Sequence, residues 1–242
     1  MVSYSSLSRP GDRRVNEDAV GALSQENRHL FVVADGLGGH GQGAAASSYV
    51  VSQLLRAFEA EGDVDAPLFF TQTLRRIQRE LTDMQAAEGC ISGMRSTVAA
   101  AAVCGGMVTV AHVGDSRCYL LGPWGVRQRT LDHSVPQMLA LAGEIREQDI
   151  SHHPSRSKLL HALGDGDEEL RIELLEARRG TKALLLCSDG FWEHIEPREI
   201  AAARRRSKTP QEWLERMEET VKAAGAGRSM DNYSALGVFL DG

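Results

Sequence analysis

The chain has 242 residues, a mass of 26.4 kDa and a formal net charge of −6. That length fits one large domain with its own core, and 42% hydrophobic with 25% charged residues excludes a disordered or fibrous chain. The acidic balance argues against a non-specific nucleic-acid binder, and the one basic run, Arg204 to Arg206, reads as a solvated helix face.

Residues 1–14 hold Ser5, Ser6, Pro10 and paired arginines but no apolar h-region, so no secretory leader is expected and the cytoplasm is the expected location. Residues 30–34 form an apolar strand. Apolar residues at Val50, Val51, Leu54, Leu55 and Phe58 recur at helical spacing, as do Phe70, Leu74, Ile77, Leu81 and Met84. Two amphipathic helices therefore follow that strand, with the break at 62–67 and Pro67 where the second helix begins. Beyond Cys90 the pattern turns to β at 97–104, 107–113, 117–121 and 126–130, which reads as an antiparallel meander. Residues 96–113 carry no Asp, Glu, Lys or Arg, yet their alanines and the Gly105-Gly106 break fit two strands and a turn better than a membrane span.

The polar insertion at 132–163 reads as short helices and loops. A buried strand at 183–187, helices at 197–206 and 210–224, a linker at 225–228 and a last strand at 233–240 complete the chain. The cysteines, Cys90, Cys104, Cys118 and Cys187, show no C-x-x-C pairing and read as reduced and mostly buried. With no internal repeat and no dividing linker, the grouping of strands and paired helices predicts one α+β domain over 1–242.

The informative pattern is the position of the aspartates. Residues 30–34 end in Asp35-Gly36, 108–113 end in Gly114-Asp115, and 183–188 end in Asp189-Gly190. One such ending is ordinary turn chemistry. Three, with Glu17-Asp18 and Asp231-Asn232 beside other β segments, predict converging carboxylates wherever the strands are neighbours. Such a cluster needs cations, and an all-oxygen donor set selects a hard ion, Mg²⁺ or Mn²⁺. Two ions about 3.5–4 Å apart clamp a hydroxide and a phosphoryl oxygen. Arg13, close to Glu17 and Asp18, then forks onto phosphate oxygens.

Seven strings in order, RRVNED (13–18), ADGLGGHGQG (34–43), VGDSR (113–117), DHS (132–134), ALG (162–164), LLCSDG (185–190) and DNYSALGV (231–238), resemble the metal-dependent protein phosphatases of type 2C in their compact bacterial form. The resemblance covers nearly the whole chain. It implies a four-layer α/β/β/α sandwich with two central antiparallel sheets and metals at one end. Asp35 would bridge two Mn²⁺ or Mg²⁺ ions, the Gly36 carbonyl would help hold one, and Asp189 and Asp231 the other. Glu17 and Asp18 would act directly or through waters, and Asp115 would bind a third, weaker ion. Arg13 would bind phosphate, with Arg14 facing solvent or behind it.

The reaction implied is direct attack of a metal-bridging hydroxide on phosphoserine or phosphothreonine of a protein, opposing a eukaryotic-like Ser/Thr kinase. Some such enzymes lie in type VI secretion gene clusters, and family members are mostly monomers. His40 is a candidate for protonating the leaving alkoxide and equally reads as a loop histidine satisfied by backbone. The insertion at about 142–163 matches the family's flap, and its His152 and His153 read as exposed loop residues. His161 stands where an arginine is common, Arg95 where glycine is frequent, and Ser234 where threonine is usual.

Two rival readings are weaker. Residues 36–41 satisfy G-x-G-x-x-G, a dinucleotide-binding pattern, but Asp35 immediately before the first glycine opposes a pyrophosphate, and no regular β-α alternation follows. A non-catalytic binding module would be expected to have lost the metal acids, and here Asp35, Asp189, Asp231 and Arg13 are all present.

Overall fold

Side chains on the central strands point alternately into two interiors, and this alternation builds the layers. In the computed structural model, which describes residues 2–38, 41–89, 93–166 and 170–240, strand β5 (Val98–Cys104) sends Val98, Ala100 and Ala102 into one apolar cluster and Ala101 and Val103 into another. Strand β3 (Arg28–Leu37) does the same, with Leu30, Val32 and Ala34 on one side and Phe31 and Val33 on the other. Strand β10 (Ala183–Cys187) splits Ala183, Leu185 and Cys187 from Leu184 and Leu186. A strand buried on both faces has to be apolar at every position, which is why these segments read as continuous hydrophobic runs.

The remaining strands are β1 (Val2–Arg9), β2 (Asp18–Gln25), β4 (Arg95–Ser96), β6 (Met107–Val113), β7 (Arg117–Leu121), β8 (Val126–Arg129), β9 (Glu173–Glu176) and β11 (Tyr233–Leu240). One sheet runs β1-β11-β10-β7-β8 and the other β2-β3-β5-β6-β9, with the short β4 paired to β3. Every ladder is antiparallel. Helices α1 (Gln42–Ala60) and α2 (Ala66–Glu88) cover the second sheet through Val50, Leu54, Phe70, Leu74 and Ile77. After the short α3 (Val135–Leu141) and α4 (Asp189–Trp192), helices α5 (Pro197–Arg205) and α6 (Pro210–Gly225) cover the first sheet through Ile200, Trp213, Leu214 and Met217. The expected α/β/β/α sandwich is the observed one. Helix starts follow local chemistry: Asp65 accepts from Leu68 N–H at 3.1 Å ahead of Pro67, and Thr209 accepts from Glu212 N–H at 3.2 Å ahead of Pro210.

One expectation is corrected. The β segments from 97 to 130 are not one meander: β5 and β6 pair in the second sheet, while β7 and β8 pair in the first. The turn at Gly114 (φ 96°), packed against Thr97, carries the chain from one sheet to the other. Local periodicity reports a strand but not its partner. The G-x-G-x-x-G reading also fails, because both long neighbours of β3, β2 and β5, run antiparallel to it, and among the described residues no parallel β-α-β unit exists there.

Candidate functional site

Chain entries and exits from both sheets converge at one end of the sandwich. Asp18 opens β2 directly opposite Asp35 of β3, Gly114-Asp115 follows β6, Asp189 follows β10, and Asp231-Asn232 precedes β11. Short-range bonds fix these junctions. Asp35 N–H donates to Thr97 Oγ1 at 3.0 Å while Thr97 N–H donates to the Asp35 carbonyl at 2.8 Å. Asn232 stitches the N-terminal arm to the other strands: its Oδ1 accepts from Glu17 N–H at 2.8 Å and its amide donates to the Pro10 and Val15 carbonyls at 2.9 Å each. Ser188 Oγ donates to Asp18 Oδ2 at 2.7 Å.

The carboxyls crowd one another. Burial, and then the charges of Asp189, Asp18 and Asp115, push Asp35 well above the usual carboxylate range. Burial likewise raises Asp115, with Asp189 and Asp132 adding to it and Arg117 opposing, and raises Asp189, with Asp231 adding. Asp18 is pushed up to about 7, chiefly by burial, against the hydrogen bonds of Ser234 and Ser188. Burial also raises Glu17, countered by Arg13. Asp18 Oδ1 is buried with no hydrogen-bond partner. A buried lone pair without a donor, inside a set of carboxyls that resist ionisation, fits a hard divalent cation.

Glycines let the backbone close around this set. A Cβ on Gly36 would run into the carbonyl of Gly43, and one on Gly190 into the carbonyl of Asn232. Gly36 N–H donates to the Glu17 carbonyl at 3.1 Å, and Ser47 Oγ of α1 donates to the same oxygen at 2.5 Å. The end of β3 and the first turns of α1 are thereby packed directly on the Glu17-Asp18 arm.

The carboxyls open into a cleft of about 640 Å³ lined by Glu17, Asp35, Asp115, Asp189 and Asp231, with Gly36 beside them. Arg13, Arg14 and Arg95 line it too. Arg13 Nη2 lies 2.7 Å from Asp231 Oδ2, in an exposed pair that leaves the guanidinium facing solvent. Arg95 Nη1 holds Asp165 at 3.0 Å while its Nε is buried with no partner. The DSR and DHS motifs brace the corner: Arg117 forks onto Asp132 at 2.7 and 2.6 Å and stacks 3.4 Å over Trp192, whose Nε1–H donates to the Asp115 carbonyl at 2.9 Å.

The structure thus brings together Arg13, Glu17, Asp35, Gly36, Asp115, Asp189 and Asp231, with Asp18 buried beside them. His40 lies outside the described residues. Arg14 is exposed and also lines the cleft. His152 and His153 are held locally, by Ser151 Oγ at 2.9 Å and by Ser155 N–H at 3.1 Å. Sequence reasoning missed the bracing roles of Asn232 and Trp192, whose contacts are long-range, and missed Arg95 as a cleft residue although its departure from the family pattern was visible. Cys104, Cys118 and Cys187 are free.

Comparisons with known proteins agree with this geometry. The family described as Protein phosphatase 2C matches residues 8–233. The serine/threonine phosphatase stp of Listeria monocytogenes is 31% identical over 235 residues, covering 95% of this chain and 92% of that protein. The crystal structure of Stp1 from Staphylococcus aureus superposes with a TM-score of 0.91 at 29% identity, over 100% of this chain and 96% of that one. The catalytic domain of the phosphatase PstP, solved with two manganese ions, gives a TM-score of 0.82 at 27% identity over 98% and 97%. A profile match over most of the length, a relative of nearly equal extent and the shared sandwich lead to one conclusion: the chain belongs to the protein phosphatase 2C family and is a metal-dependent serine/threonine protein phosphatase.

Proposed function

We propose that the cleft removes phosphate from phosphoserine and phosphothreonine of proteins with two Mn²⁺ or Mg²⁺ ions held by Asp35, Asp189 and Asp231, the Gly36 carbonyl, and Glu17 and Asp18. The observation that carries this reading is the convergence of raised, buried carboxyls around the unpartnered Asp18 Oδ1. Bound divalent ions supply Lewis-acid activation of water and neutralise phosphoryl charge. Asp115 holds a third, weaker ion.

Arg13 leaves Asp231 for the substrate and forks onto two phosphoryl oxygens, which sets the phosphorus relative to Asp35. Arg117, Asp132 and Trp192 do no chemistry; they hold the Asp115 backbone in place. His40, in the sequence between Gly38 and Gly41, protonates the departing alkoxide. Residues 142–163 form a flap on a single catalytic domain. Ser157 and Leu159 of this segment line the cleft, and Arg156 reaches Glu193 at 3.1 Å, which supports the flap reading.

The chain acts as a cytoplasmic monomer and opposes a Ser/Thr kinase of its own cell. No described helix is long and apolar enough to cross a membrane. Calorimetric Mn²⁺ titration tests the metal assignment: two ions per chain are expected, with Asp35→Asn weakening both by about tenfold or more at unchanged fold. Unaltered binding by that variant refutes the assignment.

A further inference from the structure

Three histidines and a glutamate gather behind the Gly114 corner, and none of them lines the acid cleft. His112 on β6 stands opposite Glu173 on β9. His133 follows Asp132, and His161 leads into the turn at 162–164. The rings of His112 and His133 have centroids 4.7 Å apart, and those of His133 and His161 meet edge to face at 5.5 Å. His112 and His133 are only 2% and 4% exposed, yet His112 Nδ1 and His133 Nε2 have no hydrogen-bond partner. His133 Nε2 stands 3.6 Å from Glu173 Oε1, beyond hydrogen-bond reach. One ligand atom from each of His112, His133 and Glu173 lies within 4.8 Å of the other two. Buried ring nitrogens left unpaired are costly, and two of them beside a carboxylate point to an absent partner.

We propose that His112, His133 and Glu173 form a second metal site, for a borderline divalent transition ion of the zinc type, with the fourth position left to water. Two imidazoles and one carboxylate select such an ion over Mg²⁺. His112 Nε2–H donates to the Leu131 carbonyl at 2.7 Å, which leaves Nδ1 unprotonated and able to act as a donor atom, an anchoring common among metal-ligating histidines. Burial lowers His112, and burial with His112, His161 and Arg171 pushes His133 down to about 3, so both rings are neutral near pH 7.

Zn–N bonds of about 2.0–2.1 Å place tetrahedral ligands roughly 3.4 Å apart, so the donors must draw together. Glu173, one third exposed on an edge strand and shared with Arg171 at 2.7 Å, has the freedom to do so. Ligation through His133 Nε2 leaves the ring proton on Nδ1, which now faces Gly114 N–H at 3.3 Å. Loading exchanges that long contact for a metal bond, and the exchange limits affinity.

Co²⁺ is the probe, because four-coordinate Co²⁺ with imidazole ligands absorbs strongly in the visible whereas an octahedral all-oxygen site absorbs weakly. Titrated into the intact protein, Co²⁺ should give one strong band saturating at a single ion per chain, erased by equimolar Zn²⁺ and retained in Asp189→Asn. Glu173→Gln and His112→Gln should each weaken it by about tenfold or more, with melting curves verifying the fold. No band in the wild type, loss of the band in Asp189→Asn, or unchanged affinity in folded Glu173→Gln overturns the site.

Discussion

Asp18 and Asp35 are cross-strand partners on β2 and β3, so two carboxyls leave the same face of one ladder, and Asp18 Oδ1 has no hydrogen-bond partner. Like charges placed directly opposite in a sheet destabilise it. Under the proposed metal assignment, cations held by the pair would offset that repulsion.

A pH dependence follows for the metal-free protein. Asp18 rises from 3.8 to about 7 on folding, so between those values the folded state binds more protons than the unfolded one. Stability contributed at low pH is therefore lost as pH rises through about 7. Denaturant midpoints without metal should fall between about pH 5 and pH 7.5, Asp18→Asn should flatten the fall, and Mn²⁺ should reverse it. A flat wild-type profile in chelator contradicts the raised Asp18 carboxyl, which burial chiefly causes.

Arg13→Ala should lower kcat/KM on phosphopeptides by about 10- to 100-fold, the worth of a lost charged fork. Mn²⁺ affinity should stay the same or improve, since Asp231 loses its 2.7 Å partner. A large drop in metal affinity would instead make Arg13 a scaffold residue.

Gly36→Ala tests the close backbone approach. The added Cβ meets the Gly43 carbonyl, which no side-chain rotation relieves. Melting should drop by about 5 °C or more, with metal affinity falling alongside. An unchanged melting curve would show that the first turn of α1 at Gly43 yields easily.

Much of this site could be read from the chain, and the reason is local. Asp35, Asp115 and Asp189 each terminate an apolar run, and an acid at a strand end needs no knowledge of partners to be noticed. Which strands pair did need it: β6 and β7 look like neighbours in sequence, yet the Gly114 turn sends them to different sheets. β1 gives no strand signal because its serines weaken the alternation, although it pairs with β11 along its whole length. The His112, His133 and Glu173 cluster draws on separate elements, so no spacing rule announces it.

Arg95 should act as a specificity residue. It lines the cleft beside the carboxyls, with Nε unpartnered and Nη1 on Asp165. Arg95→Gly should raise KM for phosphopeptides by about 3- to 10-fold, the worth of about one polar contact, and leave a small aryl phosphate unaffected. Equal effects on both substrates would place Arg95 at the phosphate itself or in the support of the fold.

The most direct test is hydrolysis of a phosphothreonine peptide and a phosphotyrosine peptide with Mn²⁺, with Mg²⁺ and with chelator, by the wild type and by Asp189→Asn. Turnover should require divalent metal, favour phosphothreonine and fall by about 100-fold or more in the folded variant. Near-normal turnover by Asp189→Asn, or metal-independent hydrolysis by the wild type, would contradict the assignment of the acid cleft as the metal centre.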